Sequence, residues 1–305
     1  MEQPRCELCG GLTFRTVKPV DQRRIVRCLG CGLYFQHPRP TLREAEEFYR
    51  GHYFQSESEI FHGYEDYSAL AKPIRKLARR KLFFMGRTLA PADLLDVGAA
   101  YGLFLDEARK AGWRPEGVEI SPEAAAVARR LTGLPVHVGA LESLPLEPGR
   151  FDAVTCWDVI EHATDVKVFL RAVRSVMKPG GWLFITVPNA ASGLAQLMGS
   201  RWFGFAKLEH IYYFSPGTLK RALETVGLRF LSWRPWPWAC TVDYVARRLG
   251  YYSPLCARTA RAVAAWMGIR DSQVDFPWID ILVVARRPNG EGDKDFLPNG
   301  DKKVE

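Results

Sequence analysis

No stretch of the sequence approaches the roughly 18 consecutive apolar residues that a membrane span requires, and its start, MEQPRCELCG, carries no apolar core ahead of a cleavage site. The expectation is a cytoplasmic, unprocessed chain without a transmembrane segment. Internal repeats, collagen-type periodicity and sustained coiled-coil heptads are also lacking. Histidine is scarce, at six in 305 residues, so imidazole chemistry must draw on few candidates. Cysteine is scarce after residue 31, because four of the seven lie within the first 31 residues. What remains, 47% hydrophobic and 25% charged, is an ordinary globular composition with room for one large domain and a small one.

Acidic residues are outnumbered, 34 against 42 Lys and Arg, giving a net charge of +8. A basic balance raises nucleic acid or an anionic membrane as partners. The early cysteines form Cys6-x2-Cys9 and Cys28-x2-Cys31, two pairs spaced as the ligands of a four-thiolate zinc site. Gly10-Gly11 and Gly32 let the chain turn tightly after each pair, and the segments between alternate as short strands, so residues 1–40 read as a zinc ribbon. So small a unit buries little core, and metal binding would supply its folding energy.

From about residue 90, short apolar runs alternate with amphipathic segments, the pattern of an α/β sheet. Leu94-Leu95-Asp96-Val97 reads as a buried strand, and Gly98 through Gly102 as the turn into a helix. Glu119 ends the next strand, 21 residues after Gly98, where a carboxylate accepts hydrogen bonds from both hydroxyls of a ribose. The turn is Gly-x-x-x-Gly, not the three-glycine dinucleotide form, and Asp96 precedes it. A pyrophosphate is poorly served by that carboxylate; an amino acid joined to a cationic sulfonium suits it.

These residues resemble the class I S-adenosylmethionine-dependent methyltransferases. The resemblance runs through Leu95–Gly102, Gly117–Pro122, Phe151–His162 and Met177–Gly181. It implies a Rossmann-like sheet of seven strands, the last antiparallel, with S-adenosylmethionine across the strand ends. Carried onto this sequence, Asp96, Gly98, Ala99 and Gly102 frame the methionine portion, Glu119 takes the ribose, Ile120 packs on the adenine, and Leu141 and Trp157 complete the cofactor site. Two positions depart from the family pattern: Ala100 stands where glycine is usual, and Ala140 where an aspartate often meets the adenine. The ribbon, the following Tyr34–Pro40 phrase and the Glu-His pairs also resemble methyltransferases of glycan and deoxysugar pathways.

Methyl transfer to a hydroxyl or carbon acid needs a base. Glu161-His162 follows the fourth core strand and Glu209-His210 lies beyond the fifth, on the edge where ligands bind open α/β sheets. His210 is the preferred base with Glu209 in support, and Glu161 and His162 form a second acid/base pair. Asp158, Tyr212 and Tyr53 are the candidate acceptor contacts. Thr41-x-x-Glu44 is a capping box opening a short helix. His52, Tyr53, His62, Tyr64 and Tyr67 fit either a lid or a packed linker. In the helix from Lys72 to Arg87, seven basic residues surround an apolar seam of Ile74, Leu77, Leu82 and Phe83.

The expected organisation is a zinc ribbon over 1–40, a helical linker and lid over 41–90, and the methyltransferase domain over 91–287. A helical insertion interrupts that domain at 235–276, and 288–305 is a disordered tail. The leading function is methylation of a hydroxyl or acidic carbon of a sugar or a nucleotide- or lipid-linked glycan intermediate, a phosphorylated acceptor suiting the basic surface. RNA methylation, a quinone or phenol O-methyltransferase and a zinc-ribbon binding scaffold are the alternatives; peripheral membrane contact fits the aromatic, Arg-rich insertion.

Overall fold

A computed structural model describes residues 5–20, 22–50, 71–206 and 209–290. The lid candidates His52, Tyr53, His62, Tyr64 and Tyr67 lie outside them, as does the tail from residue 291. The small sheet is built from β1 (Phe14–Val20), β2 (Arg23–Cys28) and β3 (Tyr34–His37), all antiparallel. After them come α1 (Leu42–Arg50) and α2 (Ala71–Gly86). Thr41 and Glu44 close the capping box at α1, the Thr41 N–H donating to Glu44 Oε2 at 2.6 Å and the Glu44 N–H to Thr41 Oγ1 at 3.2 Å.

The large sheet begins with β4 (Asp93–Val97), α3 (Leu103–Lys110), β5 (Arg114–Glu119), α4 (Pro122–Thr132) and β6 (Val136–Val138). It continues through β7 (Phe151–Trp157), α5 (Val166–Val176), β8 (Met177–Pro188) and α6 (Gly193–Met198). Next, β9 (Tyr212–Tyr213) leaves this sheet to pair with β3, making a fourth strand of the ribbon. The chain ends with α7 (Pro216–Thr225), β10 (Arg229–Thr241), α8 (Val242–Arg248), α9 (Pro254–Trp266) and β11 (Gln273–Arg286). The order is β10-β11-β8-β7-β4-β5-β6, with β11 antiparallel to both neighbours and the centre parallel. This is the Rossmann-like seven-stranded sheet the motifs imply.

Leu94, Leu95, Val154, Leu183, Ile185 and Val283 are all fully buried, as central strands covered on both faces require, and each contributes about 1.5–3 kcal/mol of transfer free energy. The insertion differs from its expected form. Residues 235–241 and 273–276 extend the hairpin of β10 and β11, so the helical part begins at Val242 and ends before the second arm. The apolar seam of α2 also differs. Phe83 is 74% exposed, while Lys81 joins Ala78, Leu82 and Met85 on the buried face. Packed on the sheet through Phe84 against Phe184 and Trp236, α2 belongs to the large domain and is not a linker.

Candidate active site

A cavity of about 280 Å³ opens at the carboxyl ends of β4, β5 and β7, under α1, α2 and α8. Its floor is the turn after β4. Gly98 has φ +79°, and a Cβ there would meet Val159 Cγ2 at 2.4 Å, so glycine alone lets the turn pass beneath the loop leaving β7. Ala100 adopts φ +48° and donates its N–H to Glu119 Oε2 at 2.8 Å. The other Glu119 oxygen accepts the Ser121 N–H at 2.9 Å. Burial raises the pKa of this carboxyl, and the amides counteract it. Ile120, Ala140 and Leu141 provide an apolar surface beside it. A carboxylate held by amides next to that surface fits a ribose and an adenine.

At the other end of the turn Asp96 is buried, with the Thr155 hydroxyl donating to Oδ1 at 2.6 Å. Burial pushes its pKa up to about 7. Trp157 lies opposite, edge-on to Phe104, with the Lys81 Nζ 4.3 Å from the centroid of its ring. A deep carboxyl facing the cavity answers a positively charged ligand end.

Beyond Trp157, Asp158 takes φ +58° and a single 3₁₀ turn presents Glu161 and His162. His162 lines the cavity. Its Nδ1 lies 3.0 Å from the Glu209 carbonyl oxygen and 2.9 Å from the Tyr49 hydroxyl. A carbonyl only accepts, so the Glu209 contact is a hydrogen bond in the Nδ1–H tautomer, the one that carries its lone pair on Nε2. His210, 3% exposed, packs edge-on behind His162 with ring centroids 4.9 Å apart. Glu161, His162 and His210 bring ligand-type atoms within 4.8 Å of one another.

The small sheet holds this cluster. The Gln36 side chain donates to the His210 carbonyl at 2.8 Å, the Gln36 N–H to the Ile211 carbonyl at 2.8 Å, and the Ile211 N–H to the Glu161 carbonyl at 2.7 Å. Tyr34 pairs with Tyr213 and Phe35 with Tyr212. Arg39 donates to the Thr164 carbonyl at 3.1 Å and the Tyr212 hydroxyl at 2.9 Å, and pairs with Glu7.

Comparison with known proteins agrees with this architecture. The family described as a methyltransferase domain matches residues 69–232. The chain belongs to this methyltransferase family. Relatives named ubiquinone biosynthesis O-methyltransferase include one from Chromobacterium violaceum, 29% identical over 185 residues covering 56% of this chain and 80% of the relative. Another, from Xanthomonas campestris pv. campestris, is 31% identical over 214 residues, covering 60% and 89%. Among solved structures, a Bacillus halodurans protein superposes with a TM-score of 0.52 at 15% identity, covering 68% of this chain and 98% of that one. The YcgJ protein of Bacillus subtilis superposes with 0.51 at 19% identity, covering 70% and 100%. These place the chain among S-adenosylmethionine-dependent methyltransferases of class I fold.

Within the methyltransferase cavity the structure brings together Asp96, Gly98, Ala99, Glu119, Ile120, Leu141, Trp157, Asp158 and His162. Gly102 is not part of that wall. Its φ is +76°, and its missing Cβ leaves room for Ala128 and Thr132 of α4, each 3.0 Å from where it would sit, so this glycine serves helix packing. Tyr212 is 1% exposed and its hydroxyl meets Arg39 and Glu7 inside the ribbon contact, so it does not reach an acceptor. His210, Glu209 and Glu161 stand behind His162 and do not line the cavity. Lys81 and Tyr49 are cavity residues that the motifs did not single out; seven residues after Ile74, Lys81 repeats an apolar seam position, and that spacing is the signal for it.

The four cysteines converge. Sγ–Sγ separations are 3.5 Å for Cys6–Cys31 and for Cys9–Cys28, and all four sulfurs lie within 4.8 Å. Tetrahedral zinc with Zn–S near 2.3 Å asks for sulfurs about 3.8 Å apart. A Cβ at Gly11 would lie 3.2 Å from Cys9 Sγ and 3.4 Å from Cys28 Sγ, so glycine keeps the cradle open. The donor set is compatible with zinc.

Proposed function

We propose that the chain transfers the methyl group of S-adenosylmethionine to a phenolic or quinol-type hydroxyl, with His162 as the base and with a structural zinc in the ribbon. The observation that carries this is the single-sided chemistry of the cavity wall. His162 faces a surface contributed by Leu42, Tyr49, Ile74, Leu77 and Tyr244, which suits a flat apolar ring with one reacting oxygen. A sugar would set some of its hydroxyls against Leu42, Ile74 and Leu77, which cannot pair with them, at about 1–3 kcal/mol for each left unpaired, whereas the Tyr49 and Tyr244 hydroxyls and Asp158 suffice for the few polar groups of a phenol. The names of the quinone-pathway relatives point the same way.

In the reaction, the acceptor O–H gives its proton to His162 Nε2 as the oxygen electron pair attacks the methyl carbon. The carbon–sulfur bond breaks and S-adenosylhomocysteine leaves. The Glu209 carbonyl holds the imidazole by Nδ1, so the forming imidazolium is already oriented. His210 and Glu161 are positioning residues behind it. The test is incubation of the protein with S-adenosylmethionine and, separately, catechol, 3,4-dihydroxybenzoate and a dTDP-sugar, with products read by mass spectrometry. Methylation of the phenols supports the reading; methylation of the dTDP-sugar alone replaces it with the glycan one.

A further inference from the structure

Lys81 is a charged side chain in a place where charge is expensive. It sits on the buried face of α2, 6% exposed, and lines the cavity. Among the described residues it has no hydrogen bond and no ion pair; its contact is the face of Trp157 at 4.3 Å. Burial pushes its pKa down, while Asp158, Asp96, Asp280 and Glu161 act in the opposite sense. Burying an ammonium costs several kcal/mol unless a partner offsets it, and the Trp157 face offsets only a part.

Asp96 lines the same cavity from the sheet side. Lys81 and Asp96 feel one another but do not form an ion pair, so two opposite charges are held apart across a largely apolar space. That separation is complementary to a zwitterion, whose ammonium faces the carboxylate and whose carboxylate faces the ammonium. We propose that Lys81 binds the α-carboxylate of the methionine end of S-adenosylmethionine, opposite Asp96, which takes its α-ammonium. The Trp157 ring lies under the Lys81 Nζ, and both residues line that space. The inference rests on the chain using S-adenosylmethionine and is independent of the acceptor.

The geometry gives α2 a function beyond packing. The helix carries one basic face, in which half-buried Arg75 and exposed Arg79 pair with the buried Glu107 carboxylate of α3, and a second, buried face, in which Lys81 alone is charged. The arginines already have carboxylate partners in α3, and among the described residues Lys81 has none within ion-pair distance. The buried lysine tells the donor apart from nucleosides without an amino acid, because only the amino acid offers it a partner.

Calorimetry of the full-length protein tests this with two probes, S-adenosylhomocysteine and 5′-methylthioadenosine, which share the adenosine but differ in the amino acid. Lys81→Met should weaken S-adenosylhomocysteine about 10- to 100-fold, leave 5′-methylthioadenosine within about twofold, and Lys81→Arg should recover part of the loss. Three results overturn the proposal. S-adenosylhomocysteine bound by Lys81→Met as tightly as by wild type removes the carboxylate contact. An equal loss for both probes makes Lys81 structural. An unchanged donor affinity with a raised KM for a phenol acceptor moves the anion to the other substrate. If no phenol is methylated at all, the calorimetric arms still decide the role of Lys81.

Discussion

The two halves of the cavity are built in opposite ways. The half proposed for the donor is mostly local: Asp96 to Ile120 spans 25 residues and brings two carboxylates, Asp96 and Glu119, and the amides of the turn together on two adjacent parallel strands, with Lys81, Leu141 and Trp157 joining from outside. The half proposed for the acceptor is assembled from α1, α2, the loop after β7 and α8, and it is fixed from behind by the 209–213 segment and β3 of the small sheet. A site made of one turn binds its ligand whenever the sheet folds. A site made of four distant pieces holds its geometry only while every support is in place.

The largest expected effect breaks the halves apart at His162. His162→Ala should lower kcat about 10²- to 10⁴-fold, the usual contribution of a general base, while S-adenosylhomocysteine affinity stays within about twofold. Single-turnover kinetics beside calorimetry check this; a variant with wild-type turnover assigns the base elsewhere. His210→Ala should lower kcat less, because that ring supports His162 and does not face the cavity.

Second in size is the effect of the ribbon. Removing the zinc proposed for the four cysteines with a strong chelator, or substituting Cys28→Ser, should loosen the small sheet and release Gln36 from His210. Turnover should fall about 10- to 100-fold with donor affinity nearly unchanged, and zinc should restore it. Loss of donor binding in parallel would mean that the ribbon supports both halves alike.

The same contrast explains what the sequence made legible. That Asp96, Gly98 and Glu119 come to one cavity could be read because a glycine turn, a preceding aspartate and a glutamate 21 residues on are determined by local backbone geometry. The Ser121-Pro122 and Ser215-Pro216 starts became helix caps for the same reason. The acceptor half resisted, since Glu209-His210 and Glu161-His162 look alike as dipeptides and only the pairing of β9 with β3 decides that His162 faces inward. Tyr212 was misread on that account: an aromatic beside a ligand edge is indistinguishable, in sequence, from one that locks a strand to a neighbouring unit. Lys81 was hidden within a basic run whose other members face solvent, though its seven-residue spacing from Ile74 marked it.

Third is a pH effect confined to the donor half. With burial holding the Asp96 pKa at about 7, the empty site is partly protonated at neutral pH. A bound ammonium or sulfonium favours the carboxylate, so binding releases a proton and affinity grows as pH rises through 7. S-adenosylhomocysteine affinity should increase up to about tenfold from pH 6 to pH 8 and level off above that. Calorimetry in buffers of different ionisation enthalpy counts the proton. A flat profile would mean that Asp96 is already ionised in the empty protein.

The smallest expected effect concerns the one place where the donor turn works against its own backbone. Ala100 holds φ +48°, a left-handed conformation that costs an L-residue about 1–2 kcal/mol and glycine almost nothing. The turn keeps it because the Ala100 N–H must point at Glu119 Oε2. Ala100→Gly relieves the strain but gives the unfolded chain more freedom, a cost of about 0.5–1 kcal/mol, so the net gain is about 0–1.5 kcal/mol and the melting temperature should rise by at most a few degrees. Donor affinity should not fall, since the N–H remains. A clear loss of stability would show that the Ala100 methyl packs usefully in the cavity, and the departure from the family's glycine would then be a contribution to the site and not a tolerated strain.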